Sequence, residues 1–563
     1  MRYSQTFPRT LDNLDFTPGT QVEIWTFDDV FARRAAEARL AAKDVQARIR
    51  SALKPLLHFF VEDVALDGLT AVDVSYPVHP EAPANRFLLE AYPLPALLPG
   101  VGVSFRPGGE AAYQVTLHYG ARQEMHHVFA PNRLHQDATG GLVLSPTGWL
   151  RSAETDTRIE TDVEAVFAAA LAAVAGHDWD KAEPFFEELN IHVTLPMQDL
   201  PLPCGDEVIS LREAMHEDLY FSVLEHFQIR TGRQIGARDL RPGQIVPEVV
   251  AGPDVTLRVE TRAFNITPPA AKPRQPLDQA QAPLCPLQVA GELAALGGTG
   301  FTAGSRSNRA VQARHLPGAG RAVMISAGQH ANETTGVVGA LRAAQRLAQQ
   351  GAAFTISPLE NPDGYALHQR LIDANPRHMH HAARYTALGD DLEYRSADMP
   401  GEKAIRTQAE QLSGAVLHLN LHGYPAHEWI RPFSGYVPRG FALWTLPKGF
   451  FLIFRHHPGW EAATEVLADR VTKHLADVPG LILQNRAQIR LYEIHAGETG
   501  FRMINGFPCL ISTDDRHAVP LTLITEAVDE TIYGSAFRMA HEAQMQTVLA
   551  ARWALQDLDL PVV

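Results

Sequence analysis

Cysteine is scarce in this chain. Three residues, Cys204, Cys285 and Cys509, are spread over 563 positions and form no Cys-x-x-Cys pair, which excludes a disulfide framework and a thiolate zinc site. Positive charge is the scarcer sign. The 49 Lys and Arg are outnumbered by 64 Asp and Glu, for a net charge of -15, so nothing neutralises phosphates in bulk and a nucleic-acid partner is excluded. Long apolar runs are also missing: no stretch of about 18 apolar residues could span a bilayer. The first eight residues, Met1 to Pro8, carry no charged-then-apolar leader. No internal repeat is present. What remains is ordinary globular composition, 45% hydrophobic and 20% charged, in a chain long enough for more than one domain. A cytoplasmic, soluble protein with no membrane partner is the expectation.

The first half reads as α+β. A long helix is expected from about Asp28, with Val45, Ile49 and Leu53 as its apolar stripe and Pro55 as its end. Short apolar or alternating runs at Ala71–Val78, Arg86–Tyr92, Tyr113–Tyr119 and Gly141–Leu144 predict a small sheet. Thr161-Asp-Val-Glu164 is a capping box opening a helix that ends near Gly176, and Ser210-Leu-Arg-Glu213 opens another that ends near Gly232. His216-Glu217 begins like a zinc-binding helix motif, but Tyr220 stands where the second histidine belongs, so a solvated helix face is expected. The histidines of Gln123–His127 read as surface or packing residues on a strand. Pro268, Pro269, Pro273, Pro276, Pro283 and Pro286 break any helix or central strand and predict a linker over 267–286. That divides the chain into an accessory region, 1–266 (with subdivisions 1–150 and 151–266), and an α/β region, 287–563, of mixed, mostly parallel sheet flanked by helices.

Chemistry concentrates in the second region. Ala322–Ala327 is an apolar run of strand length ended by Gly328, and Val338, Leu341, Ala344 and Leu347 mark the helix that follows. Between them lie His330 and Glu333, an imidazole and a carboxylate spaced to converge on one divalent ion. Asn361-Pro-Asp-Gly364 carries strong turn chemistry. Ala415–Leu421 is a buried strand delivering His422 at its carboxyl end, where ligands bind in open parallel sheets; Leu521–Thr525 is a late strand ending in Glu526.

In this order the pieces resemble the zinc carboxypeptidase (carboxypeptidase A-like, funnelin) family, over roughly Cys285–Leu555. His330-Ala-Asn-Glu333 is similar to the family's zinc motif, Asn361–Tyr365 to its turn, Leu421–Tyr424 to the segment of the third ligand, and Thr525–Gly534 to the segment of its base. The resemblance implies one Zn2+ held by His330, Glu333 and His422, Glu526 as general base, and hydrolysis of a peptide or small amide. It implies a carbonyl-polarising arginine a little beyond the turn, for which Arg370 and Arg377 both qualify, with Arg377 slightly preferred. The family's Asn-Arg carboxylate clamp has no Asn here, and Arg384 is the candidate. Tyr492 is the nearest residue to a substrate-capping tyrosine, and Asn332 stands where many digestive members have Arg.

Other assignments compete. His418 lies on the third-ligand strand but four residues deeper, so His422 is preferred; Glu530 is the second choice of base. His378, His380 and His381 either touch substrate or line a loop. His427-Glu428 and His456-His457 are expected at the surface. Two further functions keep company with the peptidase: a deacylase of N-acyl amino acids, like aspartoacylase and succinylglutamate desuccinylase, or a binding module with a vestigial site. The accessory region could shape the rim of the site or support an oligomer.

Overall fold

A computed structural model describes residues 1–109, 111–264, 272–395, 398–441 and 444–561. The chain is mixed α/β, with several mixed sheets and flanking helices. The site belongs to a nine-stranded sheet made of β1 (Thr299–Gly304), β2 (Ala310–Leu316), β3 (Ala319–Ala327), β4 (Ala352–Ser357), β5 (Leu417–Pro425), β6 (Phe451–His456), β7 (Arg502–Ile504), β8 (Phe507–Thr513) and β9 (Leu521–Asp529), in the order β1-β2-β4-β3-β5-β9-β6-β8-β7. The central strands β4, β3, β5 and β9 run parallel. Parallel strands covered on both faces are apolar throughout rather than alternating; every residue of β4 and β5 is buried.

The covering layers include α2 (Thr335–Gln349) and α4 (Ser535–Gln556), whose Val338, Leu341, Leu347, Val548 and Leu555 join β3, β5 and β9 in one core. In the first half, α1 (Leu211–Arg230) has the serine cap expected for it, Ser210 accepting from the Glu213 N–H. The predicted capping box at Thr161 is formed, and its helix spans Asp162–Ala175.

Several local expectations are corrected. Asp28–Pro55 is a short helix, Val30–Ala41, then a strand, Gln46–Ser51, then a second helix from Pro55. Ile49 is therefore buried on a strand that pairs with Gln21–Thr26; its four-residue spacing from Val45 and Leu53 mimics a helix stripe. Arg86–Glu90 is helical, held by a buried Arg86–Glu90 pair at i and i+4. Asn361–Gly364 is the start of α3 (Pro362–Ala374), with the Asn361 side chain accepting from the Gly364 N–H and Pro362 in the first turn. Of the proposed linker, 267–271 lie outside the described residues, and Leu277–Gln279 is a 3-10 turn before a helix at Pro286–Ala295.

Candidate metal centre and its cavity

The sheet brings two strand ends together. β3 stops at Ala327; Gly328, at φ 61°, takes the left-handed conformation that an ordinary residue resists, and turns the chain into His330 and Glu333 ahead of α2. β5 runs beside β3 in parallel register, so His422 emerges at the same edge. The Nδ1 atoms of His330 and His422 are 2.9 Å apart, and the Glu333 carboxylate lies 2.8 Å from the first and 2.9 Å from the second. Their ligand atoms all fall within 4.8 Å of one another, and all three side chains are buried. Two imidazoles and one carboxylate on one point form the three-residue donor set that suits zinc with a coordination position left for water.

Neighbouring groups fix each of the three. Asp529, at the end of β9, accepts from the Thr335 N–H at 2.9 Å and so anchors the start of α2 beside Glu333. The Gly423 N–H donates to Glu333 Oε2 at 3.0 Å, and Arg384 donates to Oε1 at 2.5 Å. Burial alone would raise the Glu333 carboxyl; His330, Arg384 and His422 together hold it well below the usual carboxylate range. On the far side of the His330 ring, Nε2 lies 3.5 Å from Asp391, a carboxylate placed to orient a ligating imidazole. Burial lowers the His422 imidazole despite the nearby Glu333.

Glu526 on β9 is the in-register neighbour of His422 on β5. Adjacent parallel strands in register point paired side chains to one face, and both residues line the same cavity. Burial first, and the charge of Glu333 second, push the Glu526 carboxyl well above its ordinary value. The cavity has a volume of about 210 Å3 and combines Arg238, Arg384 and Arg455 with an aromatic wall that includes Trp429, Phe441 and Trp444.

The other sequence assignments divide. Arg384 lines the cavity, but Arg370 and Arg377 do not reach it. Arg370 pairs with Glu188 at 2.8 Å and Glu248 at 2.9 Å; Arg377 is largely exposed, 3.5 Å from Asp206 and stacked over Tyr533. Both sit in or just after α3, on the side turned to the first half, because the Asn361 turn is the beginning of that helix. Tyr492 is buried among Leu89, Tyr92 and Leu446, away from the cavity. His418 is buried against Ser326 Oγ at 2.6 Å. Glu530 lines the cavity in a left-handed backbone conformation, φ 60°.

The expected surface pairs are not at the surface. His427 bonds Glu213 of α1 at 2.9 Å and is 1% exposed; His456 is buried. His216 and Glu217 are buried as well, because α1 packs both of its faces. Asp391, Glu393, Arg455 and Arg238 were not singled out by motif. Asp391 caps a three-residue 3-10 turn that contains Glu393, and nothing in their spacing marks a side chain that only the tertiary fold brings to His330.

No family model matches this chain, and no curated protein does. Solved structures similar to part of it include a metallo-carboxypeptidase from Pseudomonas aeruginosa, with 16% identity over 48% of this chain and 69% of that one at a TM-score of 0.29. A metallo-carboxypeptidase from Burkholderia cenocepacia is 13% identical over 53% of this chain and 74% of that one, with a TM-score of 0.30. Carboxypeptidase A from Helicoverpa armigera is 10% identical over 65% and 96%, with a TM-score of 0.29. Among the described residues no helix is long and apolar enough to cross a membrane.

Proposed function

We propose that this protein is a zinc-dependent hydrolase of a peptide or amide bond, with metallocarboxypeptidase as the leading activity. The observation that carries the reading is the convergence of His330, Glu333 and His422 within 4.8 Å in a cavity that Glu526 also lines. A divalent ion bound by that donor set supplies Lewis acidity and makes water nucleophilic near neutral pH. Glu526, in register with His422, takes the proton from the attacking water and returns it to the leaving amine. Arg384, beside Glu333, replaces Arg377 as the guanidinium nearest the reacting carbonyl, where it meets the developing negative charge. Asp391 keeps the His330 ring in place.

A second substrate class has its own support. Three guanidinium groups, on Arg238, Arg384 and Arg455, line a cavity of only about 210 Å3, which suits a small anionic substrate such as an N-acyl amino acid. The deciding experiment is metal analysis of wild type and His422→Ala, joined to a hydrolysis screen of peptides, C-terminally blocked peptides and N-acyl amino acids. Wild type is expected to carry one zinc and His422→Ala to lose it while remaining folded. Unchanged metal content removes His422 from the site, and cleavage of blocked peptides removes the carboxypeptidase while leaving the amidase.

A further inference from the structure

Glu213, Glu217 and Phe221 recur every four residues on α1 and therefore share one face. That face meets the segment between α3 and Arg384. Glu213 Oε1 accepts from the Met379 N–H at 2.5 Å. Glu217 Oε1 accepts from the His381 N–H at 3.3 Å, and its Oε2 lies 2.6 Å from His381 Nδ1. Phe221 closes the side, its ring centroid 4.9 Å from that of His381, and Trp429 packs on the ring at 4.8 Å. Glu217 is 0% exposed, and His381 lines the same cavity as His330, His422 and Glu526. With Nδ1 committed to Glu217, Nε2 is the ring's remaining polar atom, and it takes no partner among the described residues.

We infer that Glu217 is a positioning residue for His381, and that His381 Nε2–H donates a hydrogen bond to an acceptor oxygen, carbonyl or carboxylate, of the bound substrate. This deepens, and rests on, the hydrolase reading above. It gives the first half of the chain a part in substrate recognition. Burial first, with Glu213 and Glu530 adding to it, holds the Glu217 carboxyl protonated well above its ordinary range against the His381 N–H and Arg431. Burial also keeps the His381 imidazole from taking a positive charge. A protonated carboxyl at 2.6 Å shares its proton with Nδ1, which leaves the ring's own hydrogen on Nε2. An imidazole clamped this way is a fixed donor, and its tautomer is set by the bond at the other nitrogen. A purely structural Glu217–His381 clamp between the halves would hold the loop equally well but would not reach the substrate.

The test uses the full-length protein and N-benzoyl-glycyl-phenylalanine. Turnover is measured on the zinc-loaded enzyme, and binding of the same compound is measured by calorimetry on the metal-free protein. His381→Ala is expected to raise KM and the calorimetric Kd about tenfold, the loss of one donated hydrogen bond to a charged or polar acceptor, with kcat changed far less. Glu217→Leu should raise both by a similar factor in the wild-type background and add nothing in the His381→Ala background. Glu217→Gln, which keeps the size and one hydrogen-bonding group, should restore most of the affinity. Should Glu217→Leu fail to fold, His381→Ala carries the test. Unchanged KM and Kd in a folded His381→Ala overturn the inference, as does a Glu217→Leu effect that persists undiminished without His381. An inactive zinc-loaded wild type overturns the hydrolase reading, whereas the binding arm reports on His381 by itself; a compound neither bound nor cleaved overturns both.

Discussion

At the scale of single residues, two carboxylates that line the cavity, Glu526 and Glu530, are candidates for the base of the proposed hydrolysis. Glu526 faces the cavity beside His422, from a strand whose register fixes it. Glu530 lines the same cavity, but its two carboxylate oxygens are sealed from solvent and take no hydrogen bond among the described residues. A carboxyl so sealed has no path for relaying protons. Glu526→Gln is therefore expected to fold, retain metal and lose kcat by about a hundredfold or more, the usual range for a positioned base. Glu530→Gln should stay within about tenfold of wild type, which is less than the loss of a positioned base produces. Steady-state kinetics with metal content measured on both variants decides. A larger loss in Glu530→Gln than in Glu526→Gln would exchange their roles.

At the scale of elements, the site depends on how closely β5 approaches β9. Gly423, which follows His422, has no room for a side chain: a Cβ there would lie 2.6 Å from the Asp529 Cβ and 3.1 Å from the Ala527 carbonyl oxygen. Gly423→Ala is expected to push the strands apart and cost about 1–3 kcal/mol, the usual penalty for overpacking a core. It should also weaken metal binding, because the Gly423 N–H donates to Glu333. Urea unfolding and a zinc-competition titration measure the two effects; full stability with full affinity would show that β5 yields without consequence. The same two strands show which features could be read from sequence. His330, Glu333, His422 and Glu526 follow apolar runs, so strand ends located them. Arg370 and Arg377 are candidates only by their distance along the chain from the Asn361 turn, and that distance misleads because the turn begins a helix whose residues face elsewhere. Asp391 and Arg238 reach the cavity from segments with no periodic signature, the second of them in the first half, and Arg455 reaches it from β6, whose apolar run gives no sign of a charge at the cavity. The helix expected over Asp28–Pro55 fails for a related reason: apolar residues four apart, one on a six-residue strand and one on either side of it, cannot be told from a helix face without the partner strand.

At the scale of the whole molecule, charged pairs are buried where α1 meets the segments around the cavity: Glu213 with His427 and Glu225 with Arg431. Buried pairs are poor guides to net stability, because desolvation offsets attraction, but they make stability depend on pH in a calculable direction. Burial by itself would lower the His427 imidazole. Glu213, with Glu207 and Asp206 behind it, outweighs burial and raises it to about 9, while His427 in turn leads the groups that hold Glu213 low. A group whose folded pKa exceeds its unfolded value of about 6.5 adds stability in full below that value and loses it as pH rises through the folded one. The His427 contribution is thus present at pH 6 and disappears between about pH 6.5 and 9. At 1.36 kcal/mol per unit its ceiling is about 3 kcal/mol. Lys448, lowered to about 8 by burial, works the opposite way above pH 8, so the wild-type curve alone would mix the two. Comparison with His427→Gln isolates the histidine, since Lys448 is common to both proteins. The stability gap between wild type and His427→Gln, taken from urea midpoints at pH 6, 7.5 and 9, should narrow steadily with pH. A gap that stays constant or widens would mean that His427 is neutral in the folded protein and that Glu213 holds it as an uncharged hydrogen-bond partner.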